Sequence, residues 1–197
     1  MTNNMDAVIF YDDLSEAFIN KYQNDRIEFI KIQPKNWGVT SMNDIRFIIF
    51  LEYLKNNHFD KVIISDAADV IFYKNIFDDI NTNYFYACYD RNRTYNNYYI
   101  KDRIFKTYGS YELFNNLMNN KIVQAGLFAG GYNHIIKCLE YMNNEFQTLV
   151  DKNYNCNYIV YNHVLYAHLL KDTIFSRDGD AIRTKCGNEI KLLTWKK

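Results

Sequence analysis

Residues 61–72 read KVIISDAADVIF, and this stretch decides the fold that we expect. Its first part is a short apolar run, which is typical of a strand covered on both faces of a sheet. Two carboxylates follow the run, Asp66 and Asp69, with only two alanines between them. In open α/β sheets, ligands gather outside the carboxyl ends of the strands. The sequence therefore predicts a ligand site at the end of this strand.

The paired acids indicate the kind of ligand. Hard divalent cations such as Mg²⁺ and Mn²⁺ are held by oxygen ligands, typically one or two protein carboxylates together with phosphate oxygens and water. Asp66 and Asp69 therefore predict a divalent metal and a phosphorylated substrate. The alternative is structural, because an acid that follows a strand often forms a turn or caps a helix.

The elements around this stretch alternate between strands and helices. Before it, the pattern predicts a strand at 7–11, a helix at 15–22, a strand at 27–32, and a helix that begins near 41 and runs to about 57. After it, the pattern predicts a strand at 84–88, helices at 111–118, 132–149 and 157–170, and short strands at 173–175, 181–183 and 190–193. This order predicts an α/β fold with a mixed, mostly parallel sheet flanked by helices.

Residues 43–72, 122–131 and 157–162 carry three motifs whose order resembles that of the GT-A-fold glycosyltransferases. Residues 43–47 open a helix that leads into the acidic strand, whose end resembles the family's metal-binding DxD motif in an Asp-x-x-Asp spelling. Residues 122–131 read IVQAGLFAGG and resemble the family's N-A-G-x-x-x-G motif, with Gln in place of the first Asn. Residues 157–162 read NYIVYN and resemble its D-Q-x-x-x-N helix start, with Asn in place of Asp. The resemblance covers residues 43–165 and implies a GT-A, Rossmann-like fold.

The resemblance also implies an activity and its partners. The family moves a sugar from a nucleotide-diphosphate donor, usually a UDP-sugar, to a glycan or another hydroxyl acceptor, with Mn²⁺ or Mg²⁺ as cofactor. It implies that Asp69 ligates the metal with Asp66 as its partner, and that Asp66 also reaches the ribose. Arg46 matches an arginine that lies near the donor in the family. The other interpretation of Arg46 is a surface ion pair with Asp44 or Glu52.

Further residues are candidates for contacts with the donor or the acceptor. Residues without bulk let the backbone approach a ligand closely, although a tight turn explains them almost as well. They are Ala125, Gly126, Gly130 and Gly131. Asn157 and Asn162 can hydrogen-bond acceptor hydroxyls, and the alternative for Asn157 is a helix cap. Asp90 follows a predicted strand on the acceptor side and is the candidate general base.

Two departures from the family pattern leave a second function open. The strand at 7–11 resembles the family's second strand, so the first one, which grips the nucleotide base, is missing from the single domain that we expect over residues 1–197. Residues 192–195 read LLTW, where family members often place a metal-ligating His. These differences favour the alternative of a degenerate GT-A-like domain that binds a glycan, a nucleotide or a protein partner without catalysis. A third hypothesis, a phosphohydrolase with an aspartyl nucleophile in the segment YDDLS at 11–15, is disfavoured because the segment lacks a second acid at the spacing that such enzymes need.

Composition narrows the remaining classes. The 197-residue chain carries 23 basic and 23 acidic residues, and this balance argues against nucleic acid as the main partner. Its four cysteines have no Cys-x-x-Cys spacing, so we expect reduced structural thiols rather than a zinc site. The sequence has no signal-like start and no apolar run of about 18 residues, which predicts a cytoplasmic protein without a membrane span.

Overall fold

The computed structural model of the chain describes residues 5–33, 35–67, 69–94, 96, 98–186 and 189–194. Within these ranges, the side chains are described except at 91–94, 98–99, 178–181 and 183–194. The described residues form nine strands and six α-helices with short 3₁₀ and π turns. The α/β class predicted from the sequence is therefore confirmed.

The strands are β1 (Ala7–Tyr11), β2 (Ile27–Lys31), β3 (Lys61–Ser65), β4 (Val70–Phe72), β5 (Phe85–Thr94), β6 (Lys121–Gly131), β7 (Thr173–Phe175), β8 (Arg177–Cys186) and β9 (Glu189–Thr194). The helices are α1 (Glu16–Tyr22), α2 (Met42–Asn56), α3 (Tyr98–Tyr108), α4 (Glu112–Leu117), α5 (Tyr132–Thr148) and α6 (Asn157–Val164). A π turn at Leu165–Leu169 and a 3₁₀ turn at Leu170–Asp172 continue α6. Together they form the helical segment that the sequence predicts at 157–170.

The described strands form three sheets, with the orders β1-β2, β3-β6-β5-β7 and β4-β8-β9. Two pairs are parallel, β1 with β2 and β5 with β7, and the other four pairs are antiparallel. The prediction of a mixed arrangement is confirmed, but the prediction of a mostly parallel sheet is wrong for these pairs. The central sheet differs from the prediction because β6 lies between β3 and β5 and runs antiparallel to both. Strand β6 contains three glycines, which weaken the strand pattern, and the sequence analysis therefore did not predict a strand there.

Helix α2 packs against both the central sheet and β1. The Phe47 ring stacks on Phe128 of β6, with centroids 6.2 Å apart, and the Phe50 ring lies 5.5 Å from Phe10 of β1. Val62 and Ile64 of β3 belong to the same buried cluster as Phe47. The helix therefore anchors β3, the strand that ends in the acids, from one face of the sheet.

Buried residues on both faces of the central sheet complete the core. Cys88, Cys138 and Cys156 are buried, reduced cysteines, so the prediction of reduced structural thiols is confirmed for these three, while the Cys186 side chain lies outside the described set. None of the helices in the described ranges combines the length and the apolar character that a bilayer crossing requires.

Candidate functional site

The candidate site lies at one edge of the central sheet. β3 and β5 each run antiparallel to β6, and β7 runs parallel to β5, so β3, β5 and β7 share one direction. The carboxyl ends of these three strands therefore meet at the same edge. Asp66 follows β3, Asp90 lies in the second half of β5, and Ser176 follows β7. Ligands in open α/β sheets lie beyond such an edge.

Asp66 is held by an ion pair from the neighbouring helix. Arg46 Nη1 of α2 donates to Asp66 Oδ1, and the side chains of Arg46 and Asp66 are 25% and 33% exposed. The structure therefore brings together two residues that the sequence proposed separately. The alternative surface pair of Arg46 with Asp44 or Glu52 is not formed, because Asp44 is buried and Glu52 accepts from Lys35.

Strand β6 is irregular where it meets Asp66. Phe128 of β6 pairs with Ala87 of β5, and the next pair is Val123 with Tyr89, so five residues of β6 oppose two of β5. Bulges and similar irregularities are common beside active sites. The Asp66 N–H donates to the Gly126 carbonyl at 2.8 Å. Asp66 Oδ2 lies 2.3 Å from the position that a Cβ would take on Gly126. Gly126 thus contacts the predicted metal ligand, whereas its neighbour Ala125 is buried in the core.

Asp69 lies on the exposed turn that follows β3, and Ala68 beside it falls outside the described residues. Among the described residues, no group of three or more His, Cys, Asp and Glu side chains is arranged to hold a metal ion. The predicted donor set is therefore the pair Asp66 and Asp69, which fits a cation that takes its remaining ligands from diphosphate and water. The LLTW stretch at 192–195 lies outside the described side chains.

On the β5 and β7 side of this edge, two described polar atoms are buried without a partner. They are Asp90 Oδ1 and Ser176 Oγ, and neither has a hydrogen-bond partner among the described residues. The Ser176 N–H donates to the Ala87 carbonyl at 2.8 Å, which fixes the end of β7 beside β5. Buried polar atoms without a partner are rare in folded proteins, so both atoms are candidates for contact with a ligand. The sequence analysis named Asp90 and missed Ser176, for which the one signal was a serine directly after the predicted strand at 173–175.

Gly130 and Gly131 are explained by packing between backbones. A Cβ on Gly130 would lie 2.8 Å from the Tyr84 carbonyl oxygen, and a Cβ on Gly131 would lie 2.1 Å from the Thr82 carbonyl oxygen. Real Cβ atoms do not approach backbone so closely, so the chain needs glycine at both positions. These contacts give no support to the predicted approach of a ligand there.

The asparagines of α6 are bonded to the protein itself. Asn162 is fully buried: its Oδ1 accepts from the Val123 N–H at 2.8 Å, and its Nδ2 donates to the carbonyls of Val123 and Tyr158. Asn157 Nδ2 donates to the Asn43 carbonyl at 3.2 Å. The two amides tie α6 to β6 and to α2, and their predicted contact with an acceptor gains no support from this geometry.

A second carboxylate, which the sequence analysis considered as a surface ion-pair partner of Arg46, lies inside the molecule. Asp44 of α2 is fully buried, and each of its carboxylate oxygens lies 3.2 Å from the Cys156 nitrogen, whose N–H they share. The Cys156 thiol also donates to Asp44 Oδ2 at 3.4 Å. Burial raises the pKa of Asp44, and burial followed by the charge of Asp44 raises the pKa of the Cys156 thiol. Asp44 therefore caps the start of α6 and belongs to the structural framework.

No family model matches the chain, and no curated protein matches it. Functional assignment therefore rests on the residues of the chain itself, and first on Asp66, Arg46 and Gly126.

Proposed function

We propose that this chain is a metal-dependent glycosyltransferase of the GT-A type, which moves a sugar from a nucleotide-diphosphate donor of the UDP class to a hydroxyl acceptor. The observation that carries the proposal is the position of Asp66. Its carboxylate is paired with Arg46 at the carboxyl end of β3, and Asp69 follows on an exposed turn. Carboxylates at such a strand end suit a cation that is bound to a diphosphate.

The charges at this edge match the chemistry of the proposed reaction. Cleavage of the bond between the sugar and the diphosphate leaves negative charge on the departing nucleotide. Asp66 and Asp69 would hold a divalent cation, which would supply positive charge to stabilise this leaving group. Arg46 fixes the orientation of Asp66 and adds a permanent positive charge to the same edge.

The acceptor side of the proposed site is formed by β5 and β7. Asp90 Oδ1 has no partner among the described residues, and we assign to Asp90 the role of general base for the acceptor hydroxyl. The Ser176 hydroxyl, on the neighbouring strand end, is equally without a described partner. These two side chains supply an acceptor and a donor for the hydroxyl groups of a sugar.

One observation favours a second candidate function, a GT-A-like domain that binds a nucleotide, a glycan or a protein partner without catalysis. Arg46 already balances the charge of Asp66. A cation that joins Asp66 must therefore share this carboxylate with a guanidinium, which weakens metal binding by like-charge repulsion. In this alternative, donor binding persists but turnover is lost.

A hydrolysis assay separates the two functions without knowledge of the acceptor. The purified chain is incubated with a panel of nucleotide sugars and Mn²⁺, and the release of free nucleotide is measured. We expect slow release from at least one donor, reduced to about a tenth or less in Asp69→Ala, because a site with few protein ligands depends on each of them. Asp172→Ala is the matched control, since Asp172 is exposed at the amino end of β7 and should leave release unchanged.

The outcomes of this assay are distinct. Donor binding without release from any donor would support the binding module over the enzyme. Release that is equal in the wild type and in Asp69→Ala would contradict the proposed metal site.

A further inference from the structure

The contact between Gly126 and Asp66 is closer than any side chain at position 126 would allow. Asp66 Oδ2 lies 2.3 Å and its carboxyl carbon 3.0 Å from the place of a Cβ on Gly126. The same carboxylate accepts from Arg46 Nη1 through Oδ1, 3.5 Å from that place. The Asp66 carboxylate is therefore seated between a guanidinium on one side and a bare Cα on the other.

The backbone pairing of Asp66 with Gly126 fixes the position of this carboxylate. The Asp66 N–H donates to the Gly126 carbonyl, which continues the pairing of β3 with β6 by one residue beyond Ser65 and Leu127. Side chains of directly paired residues lie on the same face of a sheet, so the carboxylate necessarily projects over position 126. Gly126 lies inside the irregular stretch of β6, between its pairings with β5 at Phe128 and at Val123.

We propose that Gly126 is a positioning residue, whose missing side chain forms a socket that holds the Asp66 carboxylate in the orientation that Arg46 fixes. A methyl group at this position occupies the space of Oδ2. Because the overlapping atoms belong to the end of a rotatable side chain, the protein relieves the overlap by turning the carboxylate away, and the pair with Arg46 breaks. The fold survives this change, but the orientation of Asp66 does not.

The consequence for ligands rests on the proposed function. If Asp66 holds a cation against a diphosphate, the orientation of Asp66 controls the affinity for that cation. Residues that contact a metal ligand commonly tune the metal affinity in this way. Gly126 then acts on the donor through Asp66 rather than through its own backbone. This role differs from the close backbone approach that the glycine predicts from sequence alone.

The test uses the full-length chain and the variants Gly126→Ala, Asp66→Ala and Gly109→Ala. Gly109 is the matched control, because it adopts a positive φ of 69° at the end of α3, so alanine strains the fold there without touching Asp66. The first measurement is the NMR signal of the Arg46 side-chain N–H groups. We expect it to shift in Gly126→Ala as it does in Asp66→Ala, and to stay unchanged in Gly109→Ala.

The second measurement is a calorimetric titration with UDP in the presence of Mn²⁺. We expect the affinity to fall about 10- to 100-fold in Gly126→Ala and to be retained in Gly109→Ala. An Arg46 signal that is unchanged in Gly126→Ala overturns the socket, whatever the titration gives. If the wild type binds no UDP, the proposed function fails, and the Arg46 signal alone decides the role of Gly126.

A further variant keeps the test decisive if Gly126→Ala does not fold. In Asp66→Ala/Gly126→Ala, the carboxylate that would overlap the new methyl group is absent. Recovery of folding in this double variant supports the socket, because the defect is then caused by Asp66. A double variant that remains unfolded shows that Gly126 is required by the strand itself, and it overturns the proposal.

Discussion

Two carboxylates lie near helix α2, and their surroundings are opposite. Asp44, in the first turn of the helix, is 0% exposed and accepts hydrogen bonds from the start of α6. Asp66, which pairs with Arg46 one half-turn further along, is one-third exposed at the edge of the sheet. Of these two carboxylates, only Asp66 is exposed enough to contact a ligand. The contrast teaches that burial and existing partners, rather than residue type, separate framework acids from candidate site acids.

The polar groups of the two regions repeat this contrast. On the framework side, the Asn162 amide is bonded on both its oxygen and its nitrogen. On the site side, Asp90 Oδ1 and Ser176 Oγ have no hydrogen-bond partner among the residues described. Replacing framework groups should therefore reduce stability, whereas replacing site groups should reduce ligand binding and leave stability nearly unchanged.

The largest effect on stability is expected from Asp44→Ala. The change removes the cap of α6, opens a small cavity and leaves the buried Cys156 N–H without its acceptor. These losses together should lower the free energy of unfolding by about 2–4 kcal/mol, measured by urea denaturation. Asp102→Ala is the control, because Asp102 only pairs with Lys106 on the surface of α3, and it should lower stability by about 0.5 kcal/mol or less. Equal stability of the two variants would contradict the framework role of Asp44.

Asn162→Ala should follow, with a loss of about 2–3 kcal/mol. The variant leaves the Val123 N–H and the carbonyls of Val123 and Tyr158 without the Asn162 amide, inside the core. Asn116→Ala, at an exposed position of α4, is the control and should change stability little. A stable Asn162→Ala protein with reduced binding of an acceptor would instead place Asn162 in the site.

The pH dependence of stability should show two opposite contributions. Burial raises the pKa of Asp44 above its usual 3.8, so the folded state keeps a proton that the unfolded chain releases, and stability falls as the pH rises above 3.8. The hydrogen bond from His163 lowers the pKa of Glu145 below its usual 4.5, so stability falls as the pH drops below 4.5.

Denaturation of Asp44→Asn and Glu145→Gln across this pH range isolates the two contributions. Asp44→Asn should lose the decline toward higher pH, and Glu145→Gln should lose the decline toward lower pH. A profile of Asp44→Asn that is parallel to that of the wild type would contradict the buried position of the carboxylate.

Arg46→Lys should have the smallest effect on stability and a selective effect on binding. The pair with Asp66 is partly exposed, so its loss should lower stability by about 1 kcal/mol or less. An ammonium does not reproduce the planar fork of a guanidinium, so the affinity for UDP with Mn²⁺ should fall. Full affinity in Arg46→Lys, measured by calorimetry, would remove Arg46 from the site.

Much of the fold was predictable because local patterns agree with it. The bounds of β1 and β7 match the sequence prediction, and α5 begins at the predicted residue. Strand β6 was missed because its glycines serve close contacts with Asp66, Thr82 and Tyr84, and such contacts leave no local pattern. The antiparallel pairing of the central sheet was lost with it. Helix α3 was missed because a polar run rich in Asn and Tyr precedes it.

The sequence named Arg46, Asp66 and Asp90 of the candidate site, but it did not predict their contacts. The motif identified Arg46 and Asp66 separately, and their pairing depends on how α2 packs over β3. The sequence predicts that the amides of Asn157 and Asn162 contact a ligand. The placement of β6 and α2 shows instead that both amides are hydrogen-bonded to backbone carbonyls. Ser176 requires knowledge that β7 lies beside β5.

The most direct test of the central claim is a calorimetric titration of UDP with Mn²⁺ into the wild type, Asp66→Asn and Asn157→Ala. Asn at position 66 keeps the size of the side chain and removes its charge, so the affinity should fall about 10- to 100-fold. Asn157→Ala removes one hydrogen bond, from the side-chain amide to the Asn43 carbonyl, and should retain the wild-type affinity. A wild type without measurable binding, or an Asp66→Asn protein that binds as the wild type does, would contradict the placement of the site at this edge of the sheet.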